Sequence, residues 1–211
     1  MTPSSASAVF VVALGLAACA GASPRPTIGA TGPEAARVKA RADSVRWPYT
    51  EADVRFMSNM IGHHAQALVM AAWAPSHGAN PSVRTLAARI INAQQDEIAT
   101  MRQWLGDRGR PVPEAHAMSM PGMLMPGMLT EAQMRVLDQA AGPGFDRLFL
   151  KDMIQHHRGA VTMVQQLFDT HGAARDETVF KFANDVNADQ STEIARMETM
   201  LAALTSERSA P

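Results

Sequence analysis

The stretch Asp53 to Met70, DVRFMSNMIGHHAQALVM, returns 93 residues later as Asp146 to Met163, DRLFLKDMIQHHRGAVTM. Asp53, Phe56, Met60, His63, His64, Ala67 and Met70 all recur, so the chain is an internal duplication. A second pair of segments repeats at a shift of 96: Ala87, Gln94, Glu97, Ile98, Met101 and Leu105 become Ala183, Gln190, Glu193, Ile194, Met197 and Leu201. Each repeat therefore carries two elements, and the difference between the two shifts falls in the loop that joins them.

Within each copy the apolar residues keep helical spacing. Thr50 with Asp53 forms a capping arrangement, and Phe56, Met60, Ala67 and Met70 carry a stripe that Pro75 and Gly78 end. Asn80 and Pro81 start a second helix, whose stripe runs through Val83, Leu86, Ile90, Ile98, Met101 and Leu105 to Gly106 and Gly109. Pro143 opens a third, which reaches His171 and Gly172, and a fourth carries Val179, Phe182, Val186, Ile194, Met197 and Leu201 toward Ser206. A short extra helix, marked by Thr130 and Gln133, lies in the central connection. Strand-like alternation is absent, and neither hairpin alone can bury its apolar faces. The sequence therefore predicts an all-α four-helix bundle over residues 49–206, built from two duplicated helical hairpins.

Ahead of the bundle, Ala6 to Leu16 is an apolar run too short to span a bilayer, and Leu16-Ala17-Ala18-Cys19 resembles the bacterial lipobox. Residues 1–18 are expected to be a lipoprotein signal peptide, Cys19 the lipidated first residue, and 19–48, rich in Ala, Gly, Pro and charge, a disordered tether. That places the protein outside the cytoplasm, on the periplasmic side of the envelope and anchored to a membrane. Cys19 is the only cysteine, so the chain has no internal disulfide and no thiolate for a metal in the bundle. A net charge of −1 without a basic stripe argues against nucleic acid as a partner.

An antiparallel hairpin fixes which residues share a level. With turns near residues 78 and 173, His63 faces about Gln94 and Met60 about Glu97, while His156 faces about Gln190 and Met153 about Glu193. Both hairpins build the same polar layer. Gln94 and Gln190 interrupt apolar stripes, at a cost of about 1–3 kcal/mol for each buried group left unsatisfied. Adjacent helical residues point about 100° apart, so His63 and His64 cannot both face one point. One of each pair is expected inside the bundle and the other at an interhelical seam, with the choice between them open.

Imidazole from His63, His64, His156 and His157 with thioether from Met60, Met70, Met153 and Met163 is a donor set that favours copper, Cu(I) above all. Met118, Met120, Met123, Met125 and Met128, crowded among Pro121, Gly122, Pro126 and Gly127 after His116, add thioethers on a loop able to wrap a soft monovalent ion. Plainer alternatives stand beside these. Methionine at helical spacing fills irregular cores, a buried His paired with Gln or Glu fixes register, and the loop serves as an apolar flap over the bundle's end.

The paired Phe-x-x-x-Met-x-x-His-His-x-x-Ala-x-x-Met motifs at Phe56 to Met70 and Phe149 to Met163 resemble the secreted bacterial family catalogued as domain of unknown function 305. So do Pro121-Gly122-Met123 and Pro126-Gly127-Met128 before Leu129-Thr130, and Gln-x-x-Glu-Ile-x-x-Met at Gln94 to Met101 and Gln190 to Met197. The resemblance covers residues 50–205 and implies a ferritin-like four-helix bundle, with some relatives periplasmic copper binders concerned with copper tolerance.

A carboxylate-bridged di-iron or di-manganese oxidase on such a bundle needs Glu-x-x-His on two helices and a Glu on each of the others. Met60 and Met153 stand where those Glu-x-x-His carboxylates belong, and only Glu97 and Glu193 remain as inward carboxylates. The chain is therefore expected to bind rather than catalyse. The alternative to a copper binder is an envelope lipoprotein whose His, Gln and Glu layer only sets the register.

Overall fold

The computed structural model describes residues 32–46, 48–114 and 124–206, and all the regular structure among them is helical. Helix α2 (Glu51–Ala72) begins at a reciprocal capping box: Thr50 Oγ1 accepts from the Asp53 N–H, and the Asp53 carboxylate accepts from the Thr50 N–H. Helix α3 (Pro81–Asp107) starts on Asn80, whose side-chain oxygen accepts from the Val83 N–H, with Pro81 in the first turn, where no donor is needed. Gly109, at φ +63°, lets the chain turn back so that the Arg110 N–H reaches the Leu105 carbonyl. The short α4 (Glu131–Asp138) carries its own capping box between Thr130 and Gln133. Helices α5 (Gly142–Asp169) and α6 (Glu177–Ser206) complete the set, so the four long helices lie where the periodicity placed them.

Helix α2 packs on α3, α5 packs on α6, and α2 meets α5 to join the hairpins into one bundle. The duplicated aspartates clasp the two halves. Asp53 accepts from the Ala174 N–H at 2.6 Å in the α5–α6 loop, and Asp146 accepts from the Asn80 N–H at 3.1 Å in the α2–α3 loop. Each copy thus holds the turn of the other, the relation expected of hairpins about an approximate twofold axis. Both carboxylates are buried, and such donors offset the cost of burying them. At one end of the bundle Asp176 caps α6 through the Thr178 and Val179 N–H groups. It also accepts from the Trp104 indole and from Arg108, whose guanidinium stacks 4.4 Å over the Trp104 ring.

The apolar interior has two parts. The first unites the start of α2, the end of α3, the end of α5 and the start of α6, through Phe56, Met60, Trp104, Met163 and Phe182 among others. The second unites the opposite ends, through Met70, Leu86, Ile90, Phe149, Met153 and Met197. Between them along the helices fall His63, His64, Gln94, His156, His157 and Gln190, all buried. A polar layer therefore cuts the core in two.

One expectation needs correcting. Within the stretch 19–48, read as a tether without structure, residues Pro33–Arg46 form helix α1, which lies against α3. Pro33 suits a first turn, the alanines favour helix, and Lys39 pairs with Asp43 one turn on. Only Ala40 is buried, so α1 lacks the apolar stripe by which sequence reading finds helices. Among the described residues no helix is long and apolar enough to cross a membrane. The signal peptide and Cys19 lie outside the described residues.

Candidate metal centre

His63 and His156, the first member of each pair, meet between α2 and α5 with ring centroids 3.9 Å apart and planes inclined by 39°. His64 and His157, turned about 100° around their helices, point into the hairpin seams instead. His157 Nε2 donates to Glu193 Oε2 at 2.7 Å. His64 Nε2 comes equally close, 2.7 Å, to Glu97 Oε2, though off the line of a hydrogen bond. The division between interior and seam is as the helical geometry required. The level matching was about one turn off: Glu97 and Glu193 meet His64 and His157 rather than Met60 and Met153, because the hairpins pair slightly past the positions a simple turn centre gives.

All four imidazoles are fully buried. Burial drives the His63 pKa down to about 3, with the neighbouring His64 adding to the fall and the Pro126 carbonyl opposing it. Burial likewise pushes His156 well below the ordinary range, followed by the effects of His63, His157 and His64. Both stay neutral at physiological pH and offer lone pairs. Nδ1 of His63 and His157, both ring nitrogens of His64 and of His156, both side-chain polar atoms of Gln94 and Oε1 of Gln190 have no hydrogen-bond partner within the protein. Native interiors rarely leave so many polar atoms unpaired in one place.

The segment 124–130 lies as a strap along α2 and α5 over this layer. His63 Nε2 donates to the Pro126 carbonyl at 2.9 Å. Gln66 grips the Leu129 backbone twice, donating to its carbonyl at 3.0 Å and accepting from its N–H at 2.8 Å. Gln155 donates to the Gly127 carbonyl. A Cβ on Gly159 would lie 2.0 Å from the Pro126 oxygen, and one on Gly127, already at φ +75°, would lie 2.6 Å from the Gln155 carbonyl. Backbone meets backbone there, so no larger residue fits without lifting the strap. Gln66 and Gly159 occupy equivalent places in the two copies, and their divergence seats the strap on one side only. Sequence reading missed this function; the Pro-Gly turn at 126–127 and the Gln-for-Gly exchange were the available signals.

The predicted thioethers divide. Met60 and Met163 sit in the first apolar cluster, and Met70 and Met153 in the second, so they flank the histidine layer from either side. Met128 is buried under the strap, and half-buried Met125 packs against the first cluster. The strap thus covers the middle of the bundle, not its end. Met125, Pro126, Met163, Asn59 and Gln166 line a cleft of about 180 Å³ beside the His63 contact. Met118, Met120 and Met123 lie outside the described residues. Among those described, no three His, Cys, Asp or Glu side chains form a ready-made metal-holding group. The donors are brought to one level in pairs rather than to one point.

Comparison with known proteins gives a consistent picture. The family described as "Domain of unknown function (DUF305)" matches residues 53–201. A DUF305 protein from Streptomyces coelicolor, named as secreted, is 30% identical with a TM-score of 0.64, over 73% of this chain and 94% of that one. CopM in its Cu(II)-bound form is 31% identical with a TM-score of 0.60, over 72% of this chain and 96% of CopM. CopM is also known in Cu(I)-bound, Ag-bound and apo forms. Uncharacterized protein L153 of Acanthamoeba polyphaga mimivirus is 36% identical over 56 residues, 26% of this chain, which spans only 37% of that curated relative.

Proposed function

This chain belongs to the DUF305 family, and we propose that it is an exported, lipid-anchored protein that binds copper in its histidine layer and serves copper tolerance, storage or delivery. The observation that carries this reading is the set of four buried imidazoles, His63 and His156 held neutral by burial, with ring nitrogens that have no partner in the protein. His63, His64, His156 and His157 would hold either oxidation state. The soft thioethers of Met60, Met70, Met153 and Met163 would favour Cu(I) from either side, as would Met118, Met120, Met123, Met125 and Met128 of the central loop and strap. CopM, of like fold, has been obtained with Cu(II) and with Cu(I). A binder rather than an enzyme also fits the site. Met60 and Met153, packed in apolar clusters, stand where a di-iron oxidase needs carboxylates.

The test is thermal unfolding of the full chain with and without copper at neutral pH, beside elemental analysis of protein from copper-supplemented cells. Copper should co-purify, and at a hundredfold excess over Kd it should stabilise the fold by about 2.7 kcal/mol. Superimposable unfolding curves would instead support the register-setting alternative, which the His157–Glu193 bond also suits. For the anchor, Cys19→Ser should move the protein from the membrane fraction to the soluble one, since the acyl chains of a lipoprotein are what hold it there. Identical partitioning of both forms would remove Cys19 from the reading.

A further inference from the structure

We infer that Glu193 and Glu97 are positioning residues that commit His157 and His64 to bind metal through Nδ1. This rests on the copper reading above and goes further, naming the ligating atom and what selects it. A carboxylate can only accept here, so the 2.7 Å contact from His157 Nε2 to Glu193 Oε2 requires the proton on Nε2 and leaves the lone pair on Nδ1. In the equivalent hairpin Glu97 Oε2 lies the same 2.7 Å from His64 Nε2, off the line of a hydrogen bond, and an acceptor-only carboxylate at that distance again favours the proton on Nε2. On the strap side the Pro126 carbonyl, also acceptor only, places the His63 proton on Nε2.

In these three histidines Nε2 is turned to an oxygen, and Nδ1 is buried without a partner. Three different parts of the chain, α3, α6 and the strap, supply those oxygens. Metal-bound histidines characteristically donate their second ring N–H to a carboxylate or carbonyl, which fixes the ring and raises its basicity. Glu97 and Glu193 also bring carboxylates to the level of the buried imidazoles. Asp189 registers both: its carboxyl is raised by burial first and then by Glu97, Asp185 and Glu193. Each hairpin thus sets a carboxylate against its own seam histidine, suited to offset the charge of a cation within.

The experiment is long-range proton–nitrogen correlation NMR on the full chain labelled with ¹⁵N-histidine, before and after addition of silver nitrate. Ag(I) serves as a diamagnetic probe for a soft monovalent ion. In the metal-free protein His63, His64 and His157 should show the Nε2–H tautomer, and silver should shift Nδ1 of His64 and His157 while Nε2 keeps its proton. Glu97→Leu with Glu193→Leu should mix the tautomers and weaken silver binding about 10- to 100-fold. Glu97→Gln with Glu193→Gln keeps an amide oxygen acceptor and should preserve the tautomer, which keeps the test open if the leucine variant fails to fold. A silver-induced shift at Nε2 overturns this inference and leaves the histidine metal site standing. No shift at any ring nitrogen overturns the metal reading itself, and this inference with it.

Discussion

The metal-free protein is expected to lose stability as the pH falls from about 6.5 toward 3, at about 1.4 kcal/mol per pH unit for each of His63 and His156. Their pKa values in the fold lie below the unfolded value. The unfolded chain therefore binds more protons across this window, and acid pulls the equilibrium toward it. Their full contribution is present above the unfolded value and drains away below it, at about 2.7 kcal/mol per unit while both remain neutral in the fold. Asp152 and Asp189 act in the opposite sense, because burial raises their carboxyls and protonation relieves that cost. Both are more open to solvent than the histidines, so water screens their effect. Urea unfolding followed from neutral pH down to about 4 measures the slope. Bound copper should carry the protein further into acid before it unfolds, because a ligated imidazole takes up no proton at its lone pair. A midpoint that does not move between neutral pH and about 5 would remove the His63–His156 pair as the seat of the effect.

The duplication made most of this fold legible. A shift of 93 for α2 and α5 and of 96 for α3 and α6 gave the hairpins, and caps at Thr50, Asn80 and Thr130 marked the starts of α2, α3 and the short α4. The residue types of the layer were legible for a different reason: Gln94 and Gln190 break apolar stripes, and such breaks need an explanation. Four things were hidden. Helix α1 has no apolar face to announce it. The role of Asp53 and Asp146 as clasps between hairpins was masked because Asp53 also reads as a cap, which it is. The strap was hidden most deeply, since its hold on the site runs through backbone carbonyls of Pro126 and Gly127, and sequence patterns record side chains. Which histidine of each pair faces inward also needed the helices' rotation, and periodicity leaves that open when two adjacent residues are both polar.

Replacing His156 with leucine is expected to make the metal-free protein more stable, by about 1–3 kcal/mol, while reducing or abolishing its stabilisation by copper. His156, like His64, has no well-formed hydrogen bond at either ring nitrogen although it is fully buried, and unlike His64 it has no carboxylate beside it. Leucine is close in size and removes both poorly paired ring nitrogens. The same change at His63 would leave the Pro126 carbonyl without its donor, so it should gain less. His156→Leu should also lower the acid slope from about 2.7 to about 1.4 kcal/mol per pH unit, because one of the two depressed imidazoles is gone. A histidine kept only to fix the register of α2 against α5 forecasts the reverse. Its loss would destabilise the bundle whether copper is present or absent, as removal of a structural polar contact does. Denaturant unfolding of the two proteins, each with and without copper, separates these outcomes by sign. A residue that weakens the fold until metal reaches it would be held there for the metal, and the close, tilted contact of His63 with His156 brings one such imidazole from each half of the duplication into the core.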